Sequence, residues 1–147
     1  MLRSNFSDSN FEAGVDEAGR GSLAGPVTAA AVILPKNYKN DALADSKRLS
    51  EKKRIELKSI IEKDSIDFAV FSIDPVTIDR INILNSTFKA MHGALNNLKS
   101  LDFILVDGNK FEKFKNINHK CIIKGDSKYQ NIAAASILVC KKFVDSS

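Results

Sequence analysis

The apolar positions of this chain fall into short runs divided by polar stretches, and the spacing within each run predicts an element. Residues 11–16 read as a short strand, and residues 26–34 (PVTAAAVIL) as a second one, closed by Pro35. Around the loop of residues 18–25 the two make an antiparallel ribbon. Residues 36–49 read as a polar loop. Ser50 then caps a helix running to about Lys63, with Ile55, Ile60 and Ile61 as its buried side. Residues 67–73 (DFAVFSI) form a third strand, ended by Asp74-Pro75 and followed by a short helical turn. Phe88, Met91, Leu95 and Leu98 recur at helical spacing, which predicts a helix over 86–98. Residues 103–106 are wholly apolar and read as a buried strand, and residues 121–124 as another short strand. The last helix starts at Ser127. There Ser127 and Gln130 have the spacing of a capping box, and Ile132, Ala135, Ser136, Val139 and Phe143 line one face. Strands first adjacent, then alternating with helices, predict an α/β fold with a mixed sheet covered by helices.

Composition narrows the class. A chain of 147 residues fits one domain with a substantial core, residues 1–10 being a loose leader and 11–147 the domain. The net charge of +4 and pI near 9.1 are compatible with a nucleic-acid partner without requiring one. Cys121 and Cys140 lack CxxC spacing and read as reduced core residues, not as a disulfide or a zinc site. The Ser-, Asn- and Asp-rich start has no signal-peptide core, and no apolar run approaches the roughly 20 residues of a membrane helix. A cytoplasmic protein with no membrane partner is expected.

The candidate chemistry is acidic. Asp16 and Glu17 end the first strand, Asp107 ends the run 103–106 beside Gly108, and Asp126 follows the run 121–124 and Gly125. Ligands of sheets with parallel strands gather at the strands' carboxyl ends. Carboxylates meeting there would repel one another, and divalent cations resolve the conflict. Each residue also has a plainer reading: Asp16 and Glu17 as solvated strand-end charges, Asp107-Gly108 as a turn, and Asp126 as a favourable charge at a helix start. The recurrence of carboxylate beside glycine after an apolar strand favours the metal site. Neighbouring strand residues point to opposite faces, so Asp16 and Glu17 share a cluster only if the backbone turns there. A basic group of Lys47, Arg48, Lys52, Lys53 and Arg54 is suited either to phosphate contact or to a solvated helix start. Lys47, in the loop triplet Asp45-Ser46-Lys47, is its most purposeful member.

These blocks resemble a known family. The stretch GVDEAGRGSLAGPVTAAAVILP (14–35) is similar to the N-terminal signature of type 2 ribonucleases H, the bacterial ribonuclease HII. LADSKRLSEKKR (43–54), INILNSTFKAMHGAL (81–95), LVDGNK (105–110) and IIKGDSKYQNIAAASIL (122–138) follow in the family's order. The resemblance implies a ribonuclease H-like fold, a mixed five-stranded sheet flanked by helices. It implies a metal-dependent endonuclease that hydrolyses RNA in RNA–DNA hybrids. Such an enzyme also incises 5′ of a ribonucleotide embedded in duplex DNA, leaving a 5′-phosphate and a 3′-hydroxyl, as RNA primer removal and ribonucleotide excision require. By motif position, Asp16, Glu17, Asp107 and Asp126 would be the catalytic carboxylates, holding two divalent cations, Mn²⁺ or Mg²⁺. Gly19, Arg20 and Gly21 match the loop that reads the 2′-hydroxyl, the mark that separates RNA from DNA. Lys47 matches a position near substrate phosphate. A monomer is expected.

The wording departs from the family after residue 138. There the family continues with an Ala-Lys-Val-like stretch ending in Arg-Asp. Further helices follow, with a tyrosine that stacks at the RNA–DNA junction. This sequence reads VCKKFVDSS, and neither Tyr38 nor Tyr129 matches that tyrosine. The pattern reads as a shortened or frameshifted chain whose C-terminal helical part is missing. Exposed apolar surface and loss of a stacking platform worth roughly 1–3 kcal/mol per base would follow, with lower stability and weaker junction selectivity. Two alternatives stand beside the leading reading. One is a remnant that binds metal or hybrid without turnover. The other is a Mg²⁺-dependent phosphatase, which leaves the Gly19-Arg20-Gly21 loop unexplained.

Overall fold

A nearly continuous apolar strand must be covered on both faces, and every residue of Val27–Ile33 (β2) is buried. The computed structural model describes residues 2–19 and 25–140. It places β2 between Glu12–Ala18 (β1) and Asp67–Ile73 (β3), antiparallel to both. Beyond β1 lie Phe103–Asp107 (β4) and Asn118–Ile122 (β5), each parallel to its inner neighbour. The order β3-β2-β1-β4-β5 is the mixed five-stranded sheet that the sequence led us to expect.

Four α-helices are present among the described residues: Glu51–Asp64 (α1), Pro75–Ile81 (α2), Ile83–Asn96 (α3) and Gln130–Leu138 (α4). Strand periodicity assigns their places. Ala13, Val15, Ala29 and Ala31 face α3, where they pack with Met91 and Leu95. Ala30 and Val32 face the other way, onto Ala133, Ala134 and Leu138 of α4. Small residues on the sheet let α4 approach closely. At Gly14 the α4 backbone of Asn131 and Ile132 fills the space a Cβ would need. Among the described residues no helix is long and apolar enough to cross a membrane.

Several local expectations are corrected. The buried side of α1 is Leu57 and Ile61, one turn apart, whereas Ile55 and Ile60 are half exposed. This outermost helix offers only a narrow stripe to α4. The loop 36–49 contains two tight 3-10 turns, Asp41–Leu43 and Ser46–Arg48, anchored by the buried Leu43. β5 starts three residues earlier than its apolar signal and ends at Ile122, because an edge strand carries polar residues. Ser127 does not cap α4. It lies in a 3-10 turn, Gly125–Ser127, where its hydroxyl donates to the Lys124 carbonyl, and α4 starts after Tyr129. Nor is α4 one-sided. With the sheet on one side and α1 on the other, eight of its residues are buried. Phe143 lies outside the described residues.

The stretch expected as a loose leader is held at several points. The Arg3 N–H donates to the Lys128 carbonyl, and the Gln130 N–H, an orphan donor at the start of α4, donates to the Arg3 carbonyl. Phe6 stacks on Phe103 with ring centroids 5.7 Å apart. Glu12, only 2% exposed, accepts from the Phe6 and Ser7 N–H groups, the Ser7 hydroxyl and the Asn131 side-chain amide. A buried carboxylate needs such a set of donors. Glu12→Ala removes the acceptor for all of them and is expected to cost about 2 kcal/mol or more of unfolding free energy. Urea denaturation measures this, and an unchanged midpoint would count against the strap.

Candidate active site

Strand register sets the centre of the site. β1 and β4 run parallel with Val15 opposite Val106, so the next residue on each strand is a carboxylate, Asp16 and Asp107. On the other side of β4, Asp107 pairs with Ile122 of β5. The chain then turns through Lys124, at φ 56°, into the 3-10 turn that carries Asp126. The Gly125 N–H donates to Asp107 Oδ1 at 2.8 Å, tying that turn to the end of β4. The three acids thus lie at the carboxyl ends of parallel strands, where such sheets place their ligands.

Lys47 joins them. Its ammonium is 3.1 Å from the Asp126 carboxylate. The turn that presents it is clamped by Arg54 of α1, whose Nε donates to the Ser46 carbonyl at 3.3 Å and whose Nη2 donates to the Lys47 carbonyl at 3.0 Å. The sequence grouped Arg54 with exposed cations. In the structure its planar fork donates to two successive carbonyls from two fixed nitrogens, a geometry that a lysine's single ammonium does not offer. Lys52 and Lys53 are exposed on the first turn of α1.

Glu17 is separate. β1 continues without a turn through Glu17 and Ala18, paired to Ala29 and Thr28. Asp16 therefore shares the α4 side with Gly14, and Glu17 shares the α3 side with Val15. On that side Glu17, Asp107 and Gly108 line a cavity of about 410 Å³ under α3, with Leu84, Phe88 and Met91 as its apolar wall. Asn109 and Lys110 complete its rim. The sequence reading passed over these two, although they stand in the LVDGNK block directly after Asp107. Gly19 follows β1 at φ 101°, a conformation that favours glycine, and the Pro26 carbonyl lies where a Cβ would project. Arg20 and Gly21 lie outside the described residues.

The family model for ribonuclease HII matches residues 13–145. The ribonuclease HII of Bacteroides fragilis is 54% identical over 139 residues, 94% of this chain and 69% of its own length. The chain belongs to the ribonuclease HII family. It is a type 2 ribonuclease H, a nuclease of RNA–DNA hybrids. Among solved structures, ribonuclease H2 from Pyrococcus horikoshii superposes with a TM-score of 0.76 at 26% identity, covering 92% of this chain and 72% of that one. Bst-RNase HIII in complex with Mn²⁺ has the same fold, with a TM-score of 0.66 at 18% identity, covering 93% and 53% of the two chains.

At these strand ends the acids are set against one another. Burial holds the Asp16 carboxyl well above the ordinary carboxylate range, and the charges of Asp107 and Glu17 push it the same way. Asp107 is raised too, mainly by burial and then by the charge of Asp126, while the Gly125 N–H and Lys47 oppose the rise. The donors are all hard oxygens, the set that divalent Mg²⁺ and Mn²⁺ prefer. They are not a ready-made cage: among the described residues no three His, Cys, Asp or Glu side chains are gathered as cation ligands.

The sign of the Asp16 shift gives a pH dependence. A raised folded pKa means that the native state holds its proton more tightly than the unfolded chain. Stability is then full below the ordinary value of 3.8 and falls as pH rises through the raised value. Asp16→Asn removes this loss. At pH 7 without metal the variant is expected to be more stable than wild type by on the order of 1 kcal/mol, with the difference vanishing in acid. Urea melts at several pH values in EDTA measure it, and a less stable variant at pH 7 would overturn the assignment of charge repulsion.

Proposed function

We propose that the chain hydrolyses RNA in RNA–DNA hybrids and incises 5′ of a ribonucleotide embedded in duplex DNA, using Asp16, Glu17, Asp107 and Asp126 as cation ligands. The observation that carries this reading is the register of β1 on β4, which sets Asp16 beside Asp107 in a chain that matches the ribonuclease HII model from residue 13 to 145. Two divalent cations, Mn²⁺ or Mg²⁺, fit the all-oxygen donor set. When bound they supply Lewis acidity at the phosphate, a more acidic water and neutralisation of the leaving oxygen. A ribonuclease HIII of the same fold has been solved with Mn²⁺, which supports this choice.

The chain's own residues do the rest. Asp16 and Asp107 are held in a partly buried, water-poor corner, where charge interactions are stronger than in bulk water. Lys47, fixed by the Arg54 clamp beside Asp126, would offer a point charge to a substrate phosphate. Gly19, and Arg20 and Gly21 that follow it in sequence, would meet the 2′-hydroxyl of the ribonucleotide. Hydrolysis breaks the P–O3′ bond, water supplying the hydroxyl to phosphorus and a proton to the leaving oxygen. The products are a 5′-phosphate on the ribonucleotide and a 3′-hydroxyl on the strand before it. We expect the chain to act as a monomer.

The test is cleavage of a labelled DNA duplex bearing one ribonucleotide, in Mn²⁺, Mg²⁺ or EDTA. Incision on the 5′ side with either metal and none in EDTA is the expected result. Asp16→Asn and Asp107→Asn should each lower the rate by more than about 100-fold, since even partners of metal ligands typically cost 10–100-fold. No incision by a folded wild-type protein would favour the remnant that binds without turnover.

A further inference from the structure

On the strength of the proposed function, we infer that Lys110, with Asn109 beside it, is a second phosphate contact for the nucleic-acid backbone, on the opposite side of the carboxylates from Lys47. Lys47 stands on the α4 side, beside Asp126. Lys110 and Asn109 stand on the α3 side, on the rim of the cavity that Glu17 and Asp107 also line. The acid row thus has a lysine at each flank. A phosphodiester lying over the acids has neighbouring phosphates along the strand in both directions. The geometry offers a cation for one on each side.

The mount is firm. Lys110 is three residues beyond Asp107, which is locked into the sheet opposite Ile122, and the Gly108 N–H donates to the Ile122 carbonyl at 3.0 Å. Gly108 turns the chain at φ 131°, and nothing lies within 4 Å of where its Cβ would be, so the approach over it is open. Lys110 and Asn109 are both exposed, and no ion pair engages Lys110 among the described residues. The α3 wall behind them is mostly apolar, Leu84, Phe88 and Met91, and the hydroxyl of Thr87 in it is engaged by the Ile83 carbonyl. An ammonium and an amide on an apolar wall suit a phosphate and its sugar, the sequence-independent part of a nucleic acid. Phosphates of the RNA strand and of the DNA strand offer the same chemistry, and the experiment separates them.

Cleavage of an RNA–DNA hybrid by wild type, Lys110→Ala, Lys110→Glu and Lys110→Arg would be followed across a salt series. Lys110→Ala is expected to raise KM roughly fivefold and to make the salt slope of log(kcat/KM) shallower by about one, the mark of one lost phosphate contact. Lys110→Glu should lose more, and Lys110→Arg should keep most of the wild-type value. Single methylphosphonates near the cleavage position, placed in the RNA strand or the DNA strand, identify the source: the Lys110→Ala loss disappears when its phosphate is already neutral. Lys110→Glu with a wild-type KM and salt slope overturns the inference. A wild-type protein that leaves the hybrid uncut instead defeats the proposed function. Hybrid binding by Asp16→Asn, with and without Lys110→Glu, still decides the role of Lys110 in that case, equal affinities overturning it.

Discussion

The parallel pairing of β1 with β4 is the constraint on which the rest depends. It joins the antiparallel half of the sheet, β3-β2-β1, to the parallel half, β4-β5, and its last recorded pair, Val15 with Val106, delivers Asp16 and Asp107 side by side. A shift of one residue on either strand would turn one of these acids to the other face. The apolar residues on both sides forbid that shift. Val15 and Val106 are wholly buried under α3, and Leu105 is wholly buried on the α4 side with Ile132. The core therefore holds two carboxyls at a separation that their charges oppose.

Two buried acids on the same face of β1 make the contrast clear. Glu12 and Asp16 stand four residues apart along the chain, both on the side of β1 that α4 covers. Glu12 is surrounded by donors from Phe6, Ser7 and Asn131, so its burial is compensated and it anchors the N-terminal strap. Asp16 accepts from the Glu17 N–H and shares a side-chain hydrogen bond with Asp107, and otherwise it is buried against the negative charges of Asp107 and Glu17. One acid stabilises the fold, and the other is kept in a state the fold alone does not favour. A group so placed in a cleft is a candidate functional residue. The strap and α4 secure the sheet that keeps it there.

Much of the fold was legible because burial leaves a periodic trace. β2 and β4 are covered on both faces and read as continuous apolar runs, and α3 shows a clear apolar stripe. Less was legible where the partner lay far along the chain. Ile55 and Ile60 look like core residues, but α1 lies outside α4 and only Leu57 and Ile61 reach inward. The spacing of Ser127 and Gln130 matched a capping box, yet the start of α4 is satisfied by the Arg3 carbonyl, more than a hundred residues away in sequence. Arg54 could not be told from its basic neighbours until the carbonyls of Ser46 and Lys47 were seen in its fork. Of the site, the acids were legible as residues beside glycine, but not the sides of the sheet on which they stand.

The sides matter for how a substrate could approach. Since β1 stays extended through Ala18, Asp16 and Glu17 straddle the sheet, with Asp107 reaching the cavity on the α3 side as well as its neighbour Asp16. A phosphate served from both sides must therefore come over the ends of β1 and β4, not onto either face. Gly19 follows β1 and Gly108 follows β4, both at positive φ, where any other residue would be strained. Each turns the chain aside immediately after the acid-bearing strand end. At Gly108 nothing lies within 4 Å of where a Cβ would be, so the turn that carries the chain away from Asp107 also leaves the end of β4 open to a polyanion.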